Sequence, residues 1–260
     1  MKMKAREIAD RILLHEYVDL GKTVDRIYMG DGEREVTRVA TCMVITPSVL
    51  RAALEWGAEM IINHEPSFRG DSEEYIDAAP YRYKRELLEQ SKTVVLRWHD
   101  SPHYGDIDYV SLALIKRMNW EGEFDGKFVF TLRTPKTPLE IAKDIRAGFG
   151  IREPRIIGCR DGEVKKIGIQ LGQRAMSVFT DMLHNDIDLT VAGELCEWYC
   201  GEPIRDMAEL GIQKSIIVLG HAGSEKDAMA DLADRINAEM GENGIISAYF
   251  DCGELYSYID

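Results

Sequence analysis

The sequence predicts an α/β fold built of two similar, interlocking lobes with one site between them. Three observations predict it. Apolar, β-rich runs alternate with helical patterns along the whole chain, the arrangement of largely parallel sheets. Two segments then read alike: PSVLRAALEWGAEMIINHE (47–65) and RAMSVFTDMLHNDIDLTVAGE (174–194) each give helix, strand and glutamate. Finally, TVVLRWHDSPH (93–103) aligns without a gap on SIIVLGHAGSE (215–225). In this register Glu65 falls on Glu194, His99 on His221 and His103 on Glu225. The first lobe is expected over 1–150 and the second over 151–260, with the turn-rich stretch 150–165 as the boundary.

In chain order, residues 4–19 form a first helix, with Ile8, Ile12 and Leu13 along one face and His15 on its surface. Residues 21–35 read as irregular around a Gly30-Asp31-Gly32 turn, and Val36–Ile45 as a strand. Thr46-Pro47 starts a helix because proline suits the first helical turn, and Gly57 ends it after Trp56. Met60–Ile62 is a short buried strand entering Asn63-His64-Glu65-Pro66. A polar loop (67–80), a helix (81–91) and a strand (Thr93–Leu96) lead to Arg97–His103. Then come a helix over 108–118, a strand over Lys127–Leu132 and a helix over Thr137–Gly148. The second half reads as strand Lys166–Leu171, helix 173–184, strand Leu189–Ala192 ending at Gly193-Glu194, and helix 202–210. Strand Ser215–Leu219, a helix to residue 240 and strand Ile245–Phe250 close the chain. Ser224 with Asp227 three residues on has the spacing of a capping box, which places the start of that last helix there.

The charge balance narrows the function. Forty-five acidic against thirty-two basic residues leave a formal charge of −13, which argues against a nucleic-acid partner held through phosphates. Five cysteines show no CxxC pair; Cys196 and Cys200 have helical spacing and read as buried thiols rather than metal ligands. The N-terminal stretch is amphipathic rather than apolar enough for a signal peptide, and no run approaches the roughly 18 apolar residues of a membrane span. A reduced, cytoplasmic protein with no membrane partner is expected.

Four of the six histidines, His64, His99, His103 and His221, follow apolar strands. A single histidine in such a place is more often a capping or hydrogen-bonding residue than a ligand. Four of them, together with Glu65 and Glu225, reverse that balance. Strand carboxyl ends are where open α/β sheets place their ligands. Imidazole and carboxylate donors suit Zn²⁺, Mn²⁺, Fe or Ni²⁺, and five or six donors exceed what one tetrahedral ion needs. No dinucleotide-binding loop, P-loop or nucleophile elbow is present.

Three stretches resemble the Nif-three-like (NGG-interacting-factor-like) family, some members of which carry the name GTP cyclohydrolase type 2. GDGEREVTRVATCMVITPSVLRAALEWGAEMIINHEP (30–66) is similar to its glycine–aspartate start, T-P helix and I-I-x-H-H-P ending. WHDSPHYGDIDYVSLAL (98–114) is similar to its H-T-x-x-D segment, and VAGE (191–194) with GHAGSE (220–225) to its T-G-D/E and G-H-x-x-x-E. The resemblance implies two α/β lobes, a dinuclear metal centre and ring-like homohexamers. It carries ligand roles to His64, His221 and Glu225. Two positions depart from the pattern: Glu65 stands where the second histidine belongs, and His103 where the aspartate belongs. The exchange keeps three imidazoles and two carboxylates, so the ligand set is taken as His64, Glu65, His103, His221 and Glu225 around two divalent ions. His99, Asp100 and Glu194 are the candidates for moving protons. The expected function is a metal-dependent hydrolase, GTP cyclohydrolase-like and acting on a small molecule. The alternative is a non-catalytic metal-binding or regulatory scaffold.

Overall fold

The computed structural model describes residues 2–14, 17–19, 21–66, 78–149, 151 and 153–259. His15 and most of the polar loop after Pro66 lie outside the described residues. The chain divides into two compact units, Met1–Gly105 with Ala228–Gly253 and Asp106–Asp227 with Glu254–Asp260.

In the first unit, β1 (Met3–Lys4) precedes helix α1 (Ala5–Ile12), which ends well short of the expected residue 19. Strand β2 (Arg26–Met29) follows, then β3 (Glu35–Val36), antiparallel to β1. β4 (Arg38–Cys42), α2 (Pro47–Trp56), β5 (Met60–Asn63), α3 (Ala79–Ser91), β6 (Val94–Arg97) and the short helix α4 (Asp100–Tyr104) come next. Helix α2 starts and stops as its residues dictate. Thr46 Oγ1 accepts the Val49 N–H at 3.2 Å, Pro47 is the first helical residue, and Gly57 takes the left-handed conformation at φ 88°.

The second unit contains α5 (Tyr109–Met118), β7 (Gly122–Phe124), β8 (Val129–Lys136), α6 (Pro138–Phe149), β9 (Arg155–Gly158) and β10 (Val164–Ala175). These are followed by α7 (Ser177–His184), β11 (Leu189–Leu195), α8 (Glu202–Glu209) and β12 (Ser215–Val218). Helix α9 (His221–Met240) begins here; from Ala228 onward it belongs to the first unit, as does β13 (Ile246–Tyr249).

Strand pairing explains why the division does not fall at residue 150. The first sheet runs β13-β4-β5-β6-β2 and the second β7-β8-β10-β11-β12-β9. β8 pairs with β10, drawing residues before 150 into the second sheet. β13 pairs with β4, returning the last strand to the first. In the first sheet β13, β4, β5 and β6 are parallel and β2 is an antiparallel edge. In the second only β10, β11 and β12 are parallel.

Parallel strands are covered on both faces, so their residues are apolar throughout. Val39, Met60, Ile62, Val94 and Leu96 point to one face, against Ile8 and Ile12 of α1 and Met229, Leu232 and Ile236 of α9. Their neighbours Ala40, Cys42, Ile61 and Val95 point to the other, against Leu50 and Ala53 of α2 and Leu88 of α3. In the second unit Val178, Met182 and Ile204 pack with Ala192, Ile216 and Val218, and Cys200 is buried among them.

The internal repeat is visible in the topology. Apart from the two-residue β3, β2-β4-α2-β5-α3-β6 and β9-β10-α7-β11-α8-β12 have the same element order, and their strands stand in the same order, β4-β5-β6-β2 and β10-β11-β12-β9. Val39 pairs with Met60 and Met60 with Val94, as Ile167 pairs with Leu189 and Leu189 with Ser215. Setting Met60 on Leu189 sets Glu65 on Glu194, as expected. Setting Val94 on Ser215 puts His99 on Gly220 and Asp100 on His221. The Trp98 N–H bonds the Asn63 carbonyl just as the Leu219 N–H bonds that of Ala192, which fixes this register. The expected match of His99 with His221 is therefore one residue out.

Candidate metal centre

In the first unit the carboxyl ends of β5 and β6 deliver His64, Glu65 and His99, and α4 delivers His103. The three imidazoles come together. Ring centroids are 4.6 Å apart for His64 and His99, 5.4 Å for His64 and His103, and 5.6 Å for His99 and His103. Each offers a nitrogen within 4.8 Å of the others.

The orientation of these rings is set by what lies behind them. His64 is buried, with Nδ1 2.9 Å from the Trp98 carbonyl. A carbonyl only accepts, so this contact places the proton on Nδ1 and the lone pair on Nε2, the nitrogen that would bind an ion. His99 Nδ1 lies 2.9 Å from Asp100 Oδ1, and its Nε2 lies 3.5 Å from Glu65 Oε1. Burial by itself would lower the His99 pKa. Hydrogen bonds to Glu65 and Asp100 outweigh it and hold the imidazole above the usual histidine value. Burial likewise pushes Asp100 up, but the bonds from His99, Thr23 and the Val24 N–H keep it below the usual carboxylate value. Arg97 lies beside the group, donating from Nε to the His64 carbonyl at 3.1 Å and pairing with Glu65 Oε2 at 3.4 Å.

One residue that sequence reasoning passed over builds this geometry. Asp25, buried on the loop before β2, accepts the backbone N–H groups of His99 at 2.6 Å, Asp100 at 2.8 Å and Ser101 at 2.7 Å. It satisfies the amino end of α4 and so fixes where that helix carries His103. Asp100 returns the contact, accepting from the Thr23 hydroxyl at 2.8 Å and the Val24 N–H at 3.2 Å. Nothing local signals this clasp, since its partners lie more than seventy residues apart.

In the second unit, α9 begins at His221 itself rather than at Ser224. The Ser224 hydroxyl donates to the His221 carbonyl at 2.7 Å and accepts the Gly172 N–H at 3.0 Å, so it does not cap the helix. His221 and Glu225 are thus one helical turn apart on one face, with Nε2 3.3 Å from Oε2. His221 Nδ1 lies 3.1 Å from Glu194 Oε1 at the end of β11. With the proton on Nδ1 toward Glu194, the Nε2 lone pair faces the Glu225 carboxylate. Two acceptors this close repel unless a positive charge sits on or beside the ring. Glu225 is almost fully buried and lies over Gly172, where a Cβ would come within 2.3 Å of Oε1. Gly172 also has a φ of +64°, so both backbone and space require glycine there.

The structure therefore gathers His64, Glu65, His99, Asp100 and His103 within one unit, and Glu194, His221 and Glu225 within the other. His99, expected to move protons, stands with His64 and His103 in one group of imidazoles. The donor chemistry fits a divalent ion. Three histidines (His64, His99 and His221) have Nδ1 engaged by a carbonyl or carboxylate, the outer-shell arrangement that orients metal-binding imidazoles.

The chain is similar to several known proteins. A GTP cyclohydrolase 1 type 2 homolog of Clostridium perfringens is 25% identical over 251 residues, covering 92% of this chain and 93% of its own. Among solved structures, a NIF3-related protein of Bacillus cereus matches with a TM-score of 0.79 at 11% identity, covering 100% of this chain and 99% of its own. A Staphylococcus aureus protein matches with a TM-score of 0.78 at 18% identity and covers 100% of both chains. At these identities the structures show a shared fold. The Duf34/NIF3 (NGG1p interacting factor 3) family model matches residues 3–250, and the chain belongs to that family.

Proposed function

We propose that the protein is a metal-dependent hydrolase in which His64, Glu65, His103, His221 and Glu225, with His99 as a further donor, hold two divalent ions. The observation that carries this reading is the engagement of Nδ1 on His64, His99 and His221 by a carbonyl or carboxylate, with Nε2 of His99 3.5 Å from Glu65 and Nε2 of His221 3.3 Å from Glu225. Bound divalent ions supply a Lewis acid and a water of lowered pKa. The chain's own residues do the rest. The Trp98 carbonyl, Asp100 and Glu194 fix the tautomers of the three histidines. Arg97 neutralises part of the carboxylate charge at Glu65. Asp100 and Glu194, which hold the Nδ1 protons of His99 and His221, are the carboxylates placed to accept or return a proton.

The name of the Clostridium relative supports ring opening of a purine nucleotide as the specific version. The reading includes a cytoplasmic protein that assembles with itself. Among the described residues no helix is long and apolar enough to cross a membrane.

Elemental analysis of purified protein should give close to two divalent ions per chain. The protein reconstituted with Zn²⁺, Mn²⁺, Fe²⁺ or Ni²⁺ should then turn over at least one member of a panel of nucleotides and phosphoesters. Ions bound without turnover of any of them would favour the scaffold. Protein that takes up no metal would sink both.

A further inference from the structure

We infer that one of the two ion positions is complete within the first unit: His64, His99 and His103 form a three-imidazole site that prefers Zn²⁺, Co²⁺ and Cu²⁺ to Mn²⁺ and Mg²⁺. The inference rests on the metal-binding reading above and adds which residues suffice for one ion and which ions they select.

Three protein nitrogens and one open position are a sufficient set for a divalent ion. The three donor atoms already lie within 4.8 Å of one another. Tetrahedral coordination with metal–nitrogen bonds of about 2.1 Å brings such nitrogens to roughly 3.4 Å. The remaining approach is within reach of small rotations of the His99 and His103 side chains, both half-buried, around the buried His64. Two of the rings are aimed independently of any ion, His64 by the Trp98 carbonyl and His99 by Asp100. The third stands on α4, whose amino end Asp25 clamps through three N–H groups.

The donor set also decides the preference. Imidazole suits zinc, copper and cobalt, whereas manganese and magnesium favour carboxylate, carbonyl and water oxygens. His103 is the residue that tips the balance. The Glu65 carboxylate, 3.5 Å from His99 Nε2, is partly taken up by Arg97 at 3.4 Å. The group in the second unit has the opposite character, one imidazole, His221, with the carboxylates Glu194 and Glu225. The two positions should therefore fill in order and with different ions.

The test is stepwise titration of metal-stripped protein with Co²⁺, followed by visible absorption and bound-metal analysis, with Zn²⁺ and Mn²⁺ as competitors. Wild-type protein should bind a first equivalent that Zn²⁺ displaces at least about tenfold more effectively than Mn²⁺ does. His221→Ala and Glu225→Gln should keep that equivalent. His103→Ala and the size-conserving His103→Asn should each weaken it about tenfold or more, with melting curves verifying that both variants fold. His103→Asp should bind Co²⁺ but narrow the gap between Zn²⁺ and Mn²⁺. Loss of the first equivalent in His221→Ala, or its survival in both His103→Ala and His103→Asn, overturns the inference while leaving the metal-binding reading intact. Wild-type protein that binds neither Co²⁺ nor Zn²⁺ overturns both.

Discussion

Asp25 serves the histidine group without touching a histidine ring. Its two oxygens accept three N–H groups at the start of α4, and its own side chain is buried. In Asp25→Asn one oxygen becomes an NH₂ that faces an N–H, so at least one donor loses its acceptor. The expected cost is about 1–3 kcal/mol of stability. Metal content should fall as well, because the start of α4 sets where His103 stands. Thermal melting and the metal-to-chain ratio measure the two effects; a variant that loses neither would show the clasp to be incidental. At Glu65 and His103 the relevant comparison is between single and double exchange. Glu65→His or His103→Asp alone changes the charge of the donor set, and each should bind fewer ions than the double variant, which restores three imidazoles and two carboxylates. Purely summed losses in the double variant would show the two positions to be independent.

At the scale of elements, the bend of β10 at Gly172 is what admits Glu225. Gly172→Ala places a Cβ 2.3 Å from Glu225 Oε1 on a backbone with φ +64°. We expect a loss of about 1–3 kcal/mol and a selective loss of the ion associated with His221. An unchanged melting temperature would show that Glu225 moves aside freely. The loop between α2 and β5 has its own pH signature. Burial would raise the pKa of Glu59, but the Thr37 N–H, the Thr37 hydroxyl and the Arg38 N–H outweigh it and hold it below the usual value. Native Glu59 therefore binds fewer protons than the unfolded chain. Its stabilisation is present above the unfolded pKa and is lost as pH falls through the lowered native value. Melting temperatures of wild type and Glu59→Gln should differ near neutrality and converge in acid; a constant difference would refute this. These elements also show what the sequence disclosed. Helix α2 was legible because Thr46, Pro47 and Gly57 act locally. β5, β6 and β12 were legible because buried parallel strands are apolar throughout. β2 and α4 were not, since one is an edge strand held by β6 and the other is set by Asp25 from far along the chain. His64 and His221 could be picked out because they follow strand ends, and Glu225 because it stands four residues after His221. That His99 stands beside His64 depended on where β6 lies against β5, which no local pattern carries.

At the scale of the whole molecule, the question is whether copies of a chain with a formal charge of −13 associate. The family resemblance implies a ring of six, and net charge of one sign opposes it. Apolar surface offers the compensating force. Trp198 is 72% exposed, Leu210 77% and Ile212 44%, all on the second unit, and each is a candidate for such apolar contact. Salt separates the two effects, because the Debye length falls from about 30 Å at 0.01 M to about 8 Å at 0.15 M while apolar burial is not screened. Light scattering should therefore give several times 29.5 kDa, sixfold on the family expectation, and the assembly should hold better at 0.15 M salt than at about 0.01 M. Trp198→Glu adds a charge where an apolar contact is expected and should lower the mass. A monomer at micromolar concentration in 0.15 M salt would contradict self-association altogether. A hexamer indifferent to Trp198→Glu would move the interface to another face.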